Sequence, residues 1–175
     1  MGRARGLWIA LLAVGAVLGA PTFRDPYDCV EAAYGLATAG RNEEATKTFE
    51  VCARLGEQAR LDGGTMAQIY FNLGQSYMQL GDLLRAKATF EKALVVNPRL
   101  DQALVKLAFI ANEQGDAPAT VSLLTRALAL SPPGQPRDPS LLEYLADTLN
   151  NLKQFAKAVE LYREALGSLK RAPLS

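Results

Sequence analysis

Two stretches of the chain align with each other without a gap, and this repetition limits the possible folds more than any other feature. Residues 67–100 and residues 101–134 are each 34 residues long and carry similar residue types at many of the same positions. Weaker copies precede and follow them, at residues 26–59 and 139–172. A period of this length is typical of arrays in which each copy packs on its neighbours. Residues 26–172 are therefore predicted to form one repeat domain.

The positions shared by the copies predict two helices joined by a tight turn. In the second copy, Leu73 and Gly74 fall in the first half, Gly81 in the turn, and Phe90 and Ala93 in the second half. Apolar residues three and four apart share one face of a helix. Because small residues stand on both helices, the two backbones are expected to approach closely. Each pair can bury its apolar stripe only by stacking on the next pair.

These positions resemble the tetratricopeptide repeat, which joins a bulky residue, Leu, Gly or Ala, and Tyr on one helix to Ala, an aromatic residue, Ala and a final Pro on the next. The copy at 67–100 matches this pattern almost completely. The first copy has Cys29 at a bulky position and Glu57 at the Pro position, and the last copy has Lys153 at the turn glycine and Lys170 at the Pro position. The resemblance implies an all-α, right-handed α-solenoid of about four repeats. It also implies a non-enzymatic scaffold, adaptor or assembly factor that binds a partner protein.

The composition argues against an enzyme and against a nucleic-acid partner. The chain has no histidine, and 19 basic residues face 18 acidic ones. Without histidine the usual general base and the commonest metal ligand are missing. A net charge near zero gives no general attraction to nucleic acid. No glycine-rich phosphate loop occurs either, so we predict no catalytic residue, no cofactor and no metal.

The first twenty residues differ in composition from the rest of the chain. Arg3 and Arg5 precede an uncharged, mostly apolar run that extends from Gly6 to Ala20. This order is typical of a secretory signal peptide, and the run is shorter than the roughly 20 apolar residues that span a bilayer. We expect cleavage, with the alternative that residues 7–20 stay as a membrane anchor. Either outcome places the repeat domain in an exported compartment, periplasmic or secreted, with no membrane contact beyond that segment.

The two cysteines, Cys29 and Cys52, fall on the two predicted helices of the first copy, at positions that face each other. In an exported protein this arrangement favours a disulfide, which is worth roughly 3 kcal/mol for a loop of this size. The alternative is that both fill small positions in the core as free thiols. A metal site is not expected, because two thiolates without histidine do not complete a tetrahedral ligand set.

The first helix of each pair is expected to line a concave surface, where aromatic rings and amides alternate. Rings there would bury a bound peptide's side chains, and amides would bond its backbone. The candidate partner-binding residues are Tyr34, Gln68, Phe71, Asn72, Gln75, Gln102, Val105, Lys106, Phe109, Asn112 and Tyr144. No partner within the chain is expected for the four rings, although packing over neighbouring helices is the alternative. The predicted ligand is an extended or helical segment of another protein; a small-ligand carrier is a third, more distant option.

The last predicted helix has no following repeat to cover it. Val159, Leu166 and Leu169 are therefore expected to form a secondary interface, for a partner protein or a second copy, unless the short C-terminal tail folds over them. This gives the alternative function: a permanent structural subunit of a larger membrane-associated assembly, docked through its last helix. A homodimer or a larger complex is possible on the same grounds.

Overall fold

The computed structural model describes residues 23–132 and 134–171, and these residues form eight α-helices and no strand. In chain order the helices are α1 (Pro26–Thr38), α2 (Asn42–Ala59), α3 (Gly63–Gln79), α4 (Leu83–Val96), α5 (Asp101–Glu113), α6 (Ala117–Ala129), α7 (Pro139–Asn151) and α8 (Phe155–Arg171). Each helix packs chiefly on the helices before and after it in sequence. The predicted all-α solenoid of helix pairs is confirmed.

The residues of the tight turns explain where the helices of each pair begin and end. Gly40, Gly81 and Gly115 adopt φ angles of 75°, 76° and 74°, which a residue without Cβ reaches freely. The fourth turn has Lys153 at the corresponding position, with φ 61°. An aspartate then caps several following helices, as at Asp82, whose carboxylate accepts a hydrogen bond from the backbone N–H of Arg85. The chain therefore turns back on itself in the same way in all four pairs.

Close contact between paired helices depends on the small residues of the repeat. A Cβ atom added at Gly74 on α3 would lie 2.6 Å from the ring of Phe90 on α4. Phe90 is fully buried, as are Phe49 and Leu124 at the matching positions of the first and third pairs. The core of the array is thus a row of large side chains on the second helices, each received by a small residue opposite.

The extra residues between the first two copies lengthen the adjoining helices. α2 has 18 residues and α3 has 17, and Arg60, with φ 53°, ends the first of them. Asp62 caps the second by accepting from the backbone N–H groups of Gly64 and Thr65. At this junction Gly56 lies against Met66 of the next helix.

A disulfide joins Cys29 on α1 to Cys52 on α2, and both residues are fully buried. This is the pairing that the sequence favours over two free thiols. The predicted signal peptide or anchor, residues 1–20, lies outside the described residues. Within residues 23–132 and 134–171, no helix combines the length and the apolar character that crossing a bilayer requires.

Candidate functional site

The four first helices, α1, α3, α5 and α7, carry all of the residues predicted to bind a partner. The structure brings a subset of them together around a cavity of about 230 Å³ between the first two helix pairs. Tyr34, Asn72 and Gln75 are the predicted residues that line this cavity. The cavity therefore defines the part of the predicted surface that has the shape of a binding site.

Five further residues complete the lining of the cavity, and the sequence interpretation missed them. They are Ala37, Thr38, Phe49, Ser76 and Gln79. Thr38 and Gln79 each lie four residues after a predicted residue, which is one helical turn along the same face. Extending the predicted faces by one turn would have found both. Phe49 lies on a second helix, so no pattern within the first helices indicates it.

The cavity has a mixed but uncharged lining. Tyr34, Ala37 and Phe49 contribute apolar surface, whereas the remaining five side chains are amides and hydroxyls. None of the eight lining residues is acidic or basic. A site of this composition favours a ligand that carries no charge where it enters the cavity, because an unpaired charge there would lose hydration without compensation.

Asn72 is the most unusual polar residue of the cavity, because it is buried and incompletely bonded. Its side chain is only 5% exposed. Its Oδ1 accepts a hydrogen bond from Nε2 of Gln68 at 3.2 Å, but its Nδ2 has no hydrogen-bond partner among the described residues. A buried donor left unpaired costs about 1–3 kcal/mol. Nδ2 itself is closed to solvent, so a ligand's carbonyl oxygen would remove this cost only after the Asn72 side chain turns toward the cavity.

Tyr34 forms one wall of the cavity and remains accessible, with 44% of its surface exposed. Its ring packs edge-on against the ring of Phe49, with centroids 5.5 Å apart and planes at 89°. The expectation that this ring has no partner within the chain is therefore wrong. The contact holds one edge of the ring in place and leaves the rest open to solvent.

Phe71 does not belong to an open surface, and the expectation for this ring is wrong. Phe71 is 5% exposed, and its ring centroid lies 5.7 Å from that of Phe90. The reason is the close approach of α3 and α4 at Gly74, which brings the Phe90 ring to the side of α3 that Phe71 occupies. Phe71 is thus a core residue that stabilises the second helix pair.

Two further predicted rings lie beyond the cavity, on α5 and α7. Phe109 is 43% exposed, as expected for a residue of an open surface. Tyr144 is half-buried, and its hydroxyl donates to the backbone carbonyl of Ala108 at 3.5 Å, so it too has a partner within the chain. Burial, followed by the nearby negative charge of Glu113, raises the pKa of Tyr144. This second region offers one open ring.

The other predicted residues differ in accessibility and line no wall of the cavity. Gln68, Gln102 and Asn112 are exposed, whereas Val105 and Lys106 are half-buried. In the last helix Val159, Leu166 and Leu169 are all exposed, as the sequence led us to expect. In the part of the chain that the structure describes, no three His, Cys, Asp or Glu side chains lie close enough to hold a metal ion.

The stacked helix pairs and their concave, uncharged cavity define an α-solenoid scaffold. Two tetratricopeptide repeat models match the chain, over residues 67–99 and 113–174, together more than half of its length. The chain belongs to the tetratricopeptide repeat family, and as such it is a protein–protein interaction scaffold. A comparison with curated proteins finds no match.

Solved structures confirm the architecture at low sequence identity. The crystal structure of MamA superposes with a TM-score of 0.71 at 14% identity, covering 85% of this chain and 80% of that one. The MamA RS-1 ArsTM double mutant gives 0.73 at 13% identity, with coverage of 88% and 80%. BtubC (BKLC) from P. vanneervenii gives 0.70 at 20% identity, with coverage of 89% and 70%. At these identities the likeness shows the fold alone.

Proposed function

We propose that the scaffold binds an uncharged segment of a partner protein on its concave surface, with the cavity between α1 and α3 as the anchoring point. The observation that carries this proposal is the unpaired Nδ2 of Asn72, which is buried in a residue of the cavity wall. A peptide has a carbonyl oxygen at every residue, so it can supply the missing acceptor once the Asn72 side chain turns toward the cavity. The ring of Tyr34 would then cover that side chain.

The size of the cavity supports a peptide over a free small molecule. Small-molecule pockets generally enclose about 300–1,000 Å³. The cavity encloses about 230 Å³, which suits one side chain of a longer ligand. The remainder of such a ligand would extend along the concave surface toward Gln102 and Phe109. Phe71 takes no part in this proposal, because it is buried.

The proposed compartment is an exported one, either periplasmic or secreted, with residues 1–20 as a signal peptide or residues 7–20 as a retained anchor. The disulfide between Cys29 and Cys52 supports this, because disulfides persist in oxidising compartments and are rare in the cytosol. The partner would then be another exported protein, such as a component of an assembly in the cell envelope.

The binding site can be tested with a random phage-displayed peptide library selected against the whole chain. We expect selected peptides to share an uncharged residue, and we expect Ala37→Leu, which fills the cavity, and Asn72→Ala, which removes the donor, each to weaken binding by about tenfold or more. Matched controls are Ala88→Leu and Asn150→Ala, at exposed positions outside the cavity, which should bind as the wild type does. Peptide binding that neither cavity variant weakens would disprove the site.

The same variants separate a peptide receptor from the alternative of a permanent subunit. A scaffold that binds its partner through the cavity loses that partner in Ala37→Leu. A subunit docked only through its last helix is instead recovered in an unchanged assembly from cells that produce Ala37→Leu.

A further inference from the structure

The two ends of the array expose faces that are largely covered in the pairs between them. At the C-terminal end, α8 exposes Val159, Tyr162, Leu166 and Leu169, which are spaced three and four residues apart and therefore share one face. Leu166 and Leu169 are each 53% exposed. Aliphatic side chains this open are uncommon as a continuous stripe on a monomer.

The earlier pairs show what normally covers this face. The residues that match Leu166 are Ala53, Leu94 and Leu128; Ala53 and Leu128 are buried, and Leu94 is half-buried. Gly56 matches Leu169, and it lies against Met66 and Ile69 of α3. In each earlier pair the first helix of the next pair packs on the second helix. The natural cover for the α8 face is thus a first helix.

The N-terminal end exposes the opposite half of the same kind of interface. On α1, Asp28 and Gly35 are exposed and Ala32 is half-buried. On the later first helices, the residues that match Asp28 are Ile69, Ala103 and Leu141. Those that match Ala32 are Leu73, Leu107 and Leu145, and those that match Gly35 are Ser76, Ile110 and Thr148. All of these are buried except Leu141, which is half-buried. A face that is covered in the later pairs is therefore open on α1.

The two open faces complement each other in size. The α8 face presents large aliphatic side chains, whereas the α1 face presents Ala32 and Gly35, which leave room for them. Between successive pairs a short link places the end of a second helix beside the start of the next first helix. In the same arrangement, the end of α8 would meet the start of α1.

We propose that α8 of one copy docks on α1 of a second copy, so that copies join head to tail as a continuation of the repeat array. The two surfaces of this contact differ, so the contact does not close on itself and builds chains that lengthen with concentration. The proposal concerns the ends of the array and is independent of peptide binding in the cavity.

Sedimentation of the whole chain over a wide range of concentration tests this proposal. We call the open α8 face the tail and the open α1 face the head. One variant disables the tail, with Leu166→Glu and Leu169→Glu together. Another disables the head, with Asp28→Arg and Gly35→Arg together; nothing lies within 4 Å of a Cβ built at Gly35, so the new side chain fits. Far-ultraviolet circular dichroism establishes that each variant is folded, and Leu166→Gln with Leu169→Gln serves as a milder tail variant.

The expected result has three parts. The wild-type mass rises with concentration beyond that of a dimer, each variant alone stays monomeric, and an equal mixture of the two forms dimers and nothing larger. The mixture retains one intact head and one intact tail, which is enough for one contact. A monomeric wild type would overturn the proposal. So would a head variant that still dimerises alone, which indicates tail-to-tail pairing, or a tail variant that associates alone, which indicates another surface such as residues 1–22.

Discussion

The hydroxyl of Tyr77 on α3 donates a hydrogen bond of 2.6 Å to Oε1 of Glu50 on α2. Two helical turns away, the hydroxyl of Tyr70 donates to Oε1 of Glu57 at the same distance, so the two bonds are seven residues apart on both helices. The guanidinium of Arg85 lies over the Tyr77 ring, 4.7 Å from its centroid. These bonds connect α2 of the first helix pair to α3 of the second.

Removing these hydroxyls is expected to weaken the junction of the first two pairs. Tyr70→Phe and Tyr77→Phe should each lower the free energy of unfolding by about 1 kcal/mol, because each leaves a carboxylate without its donor. Urea titration followed by circular dichroism measures this loss. Tyr27→Phe, at an exposed position on α1, is the control. Equal stability of all three variants and the wild type would show that the bonds contribute nothing.

The hydrogen bonds of Tyr70 and Tyr77 also predict a loss of stability at alkaline pH. Burial, followed by the hydrogen bond to glutamate, raises the pKa of Tyr70 and of Tyr77 from 10.0 to about 12. A group with a raised pKa in the folded state stabilises fully below its unfolded pKa and loses that effect as the pH rises through the folded pKa. The wild type should therefore lose stability between pH 10 and pH 12. The double Phe variant should lose less over that window in the same urea titration, and parallel profiles would contradict the assignment.

Replacement by alanine is expected to have opposite effects on stability at Gly74 and at Gly35. Gly74→Ala should destabilise by about 1–3 kcal/mol, because its Cβ would lie within 3 Å of three atoms of the Phe90 ring. Gly35→Ala should stabilise by about 0.5–1 kcal/mol, because it lies inside α1 with open space around the new Cβ. Thermal unfolding followed by circular dichroism compares the two. A similar effect at both positions would mean that close helix packing does not determine the small residue at Gly74.

Lys153 occupies a turn position at which a glycine is expected to stabilise the protein. Its φ of 61° is unfavourable for a residue with Cβ, so Lys153→Gly should stabilise by about 1 kcal/mol. Gly115→Ala, at φ 74° in the preceding turn, should destabilise by a similar amount. Both are measured as changes in the urea midpoint. A destabilised Lys153→Gly would mean that the lysine side chain itself stabilises the turn.

The sequence predicts most of the fold because its repeat is local and periodic. Positions such as Phe90 and Gly74 recur at a fixed spacing, so helix pairs and their stacking follow from the pattern alone, and so does the facing of Cys29 and Cys52. The site is predicted less completely. Whether a ring such as Phe71 is open depends on where α4 lies in space, and a helical wheel of α3 does not contain that information.

The sequence likewise does not predict that the side-chain donor of Asn72 is unpaired. The sequence pattern places Asn72 on the predicted binding face of α3, but it does not show that this residue is buried. The pattern of the first helices likewise does not show that Phe49 lines the cavity, because Phe49 lies on α2. The pattern thus indicated the helix face that three of the cavity residues share, and the three-dimensional junction of two pairs determined which part of that face became a cavity.

Peptide binding at the cavity is tested most directly by the side-chain amide signal of Asn72 in the nitrogen–proton correlation spectrum of the whole chain. Asn72→Ala assigns that signal, and a library-selected uncharged peptide is then titrated in. We expect the Asn72 Nδ2 protons to shift downfield in a saturable way, because they gain an acceptor, while the signal of Asn150 stays in place. Saturable binding of the peptide with an unmoved Asn72 signal would contradict it.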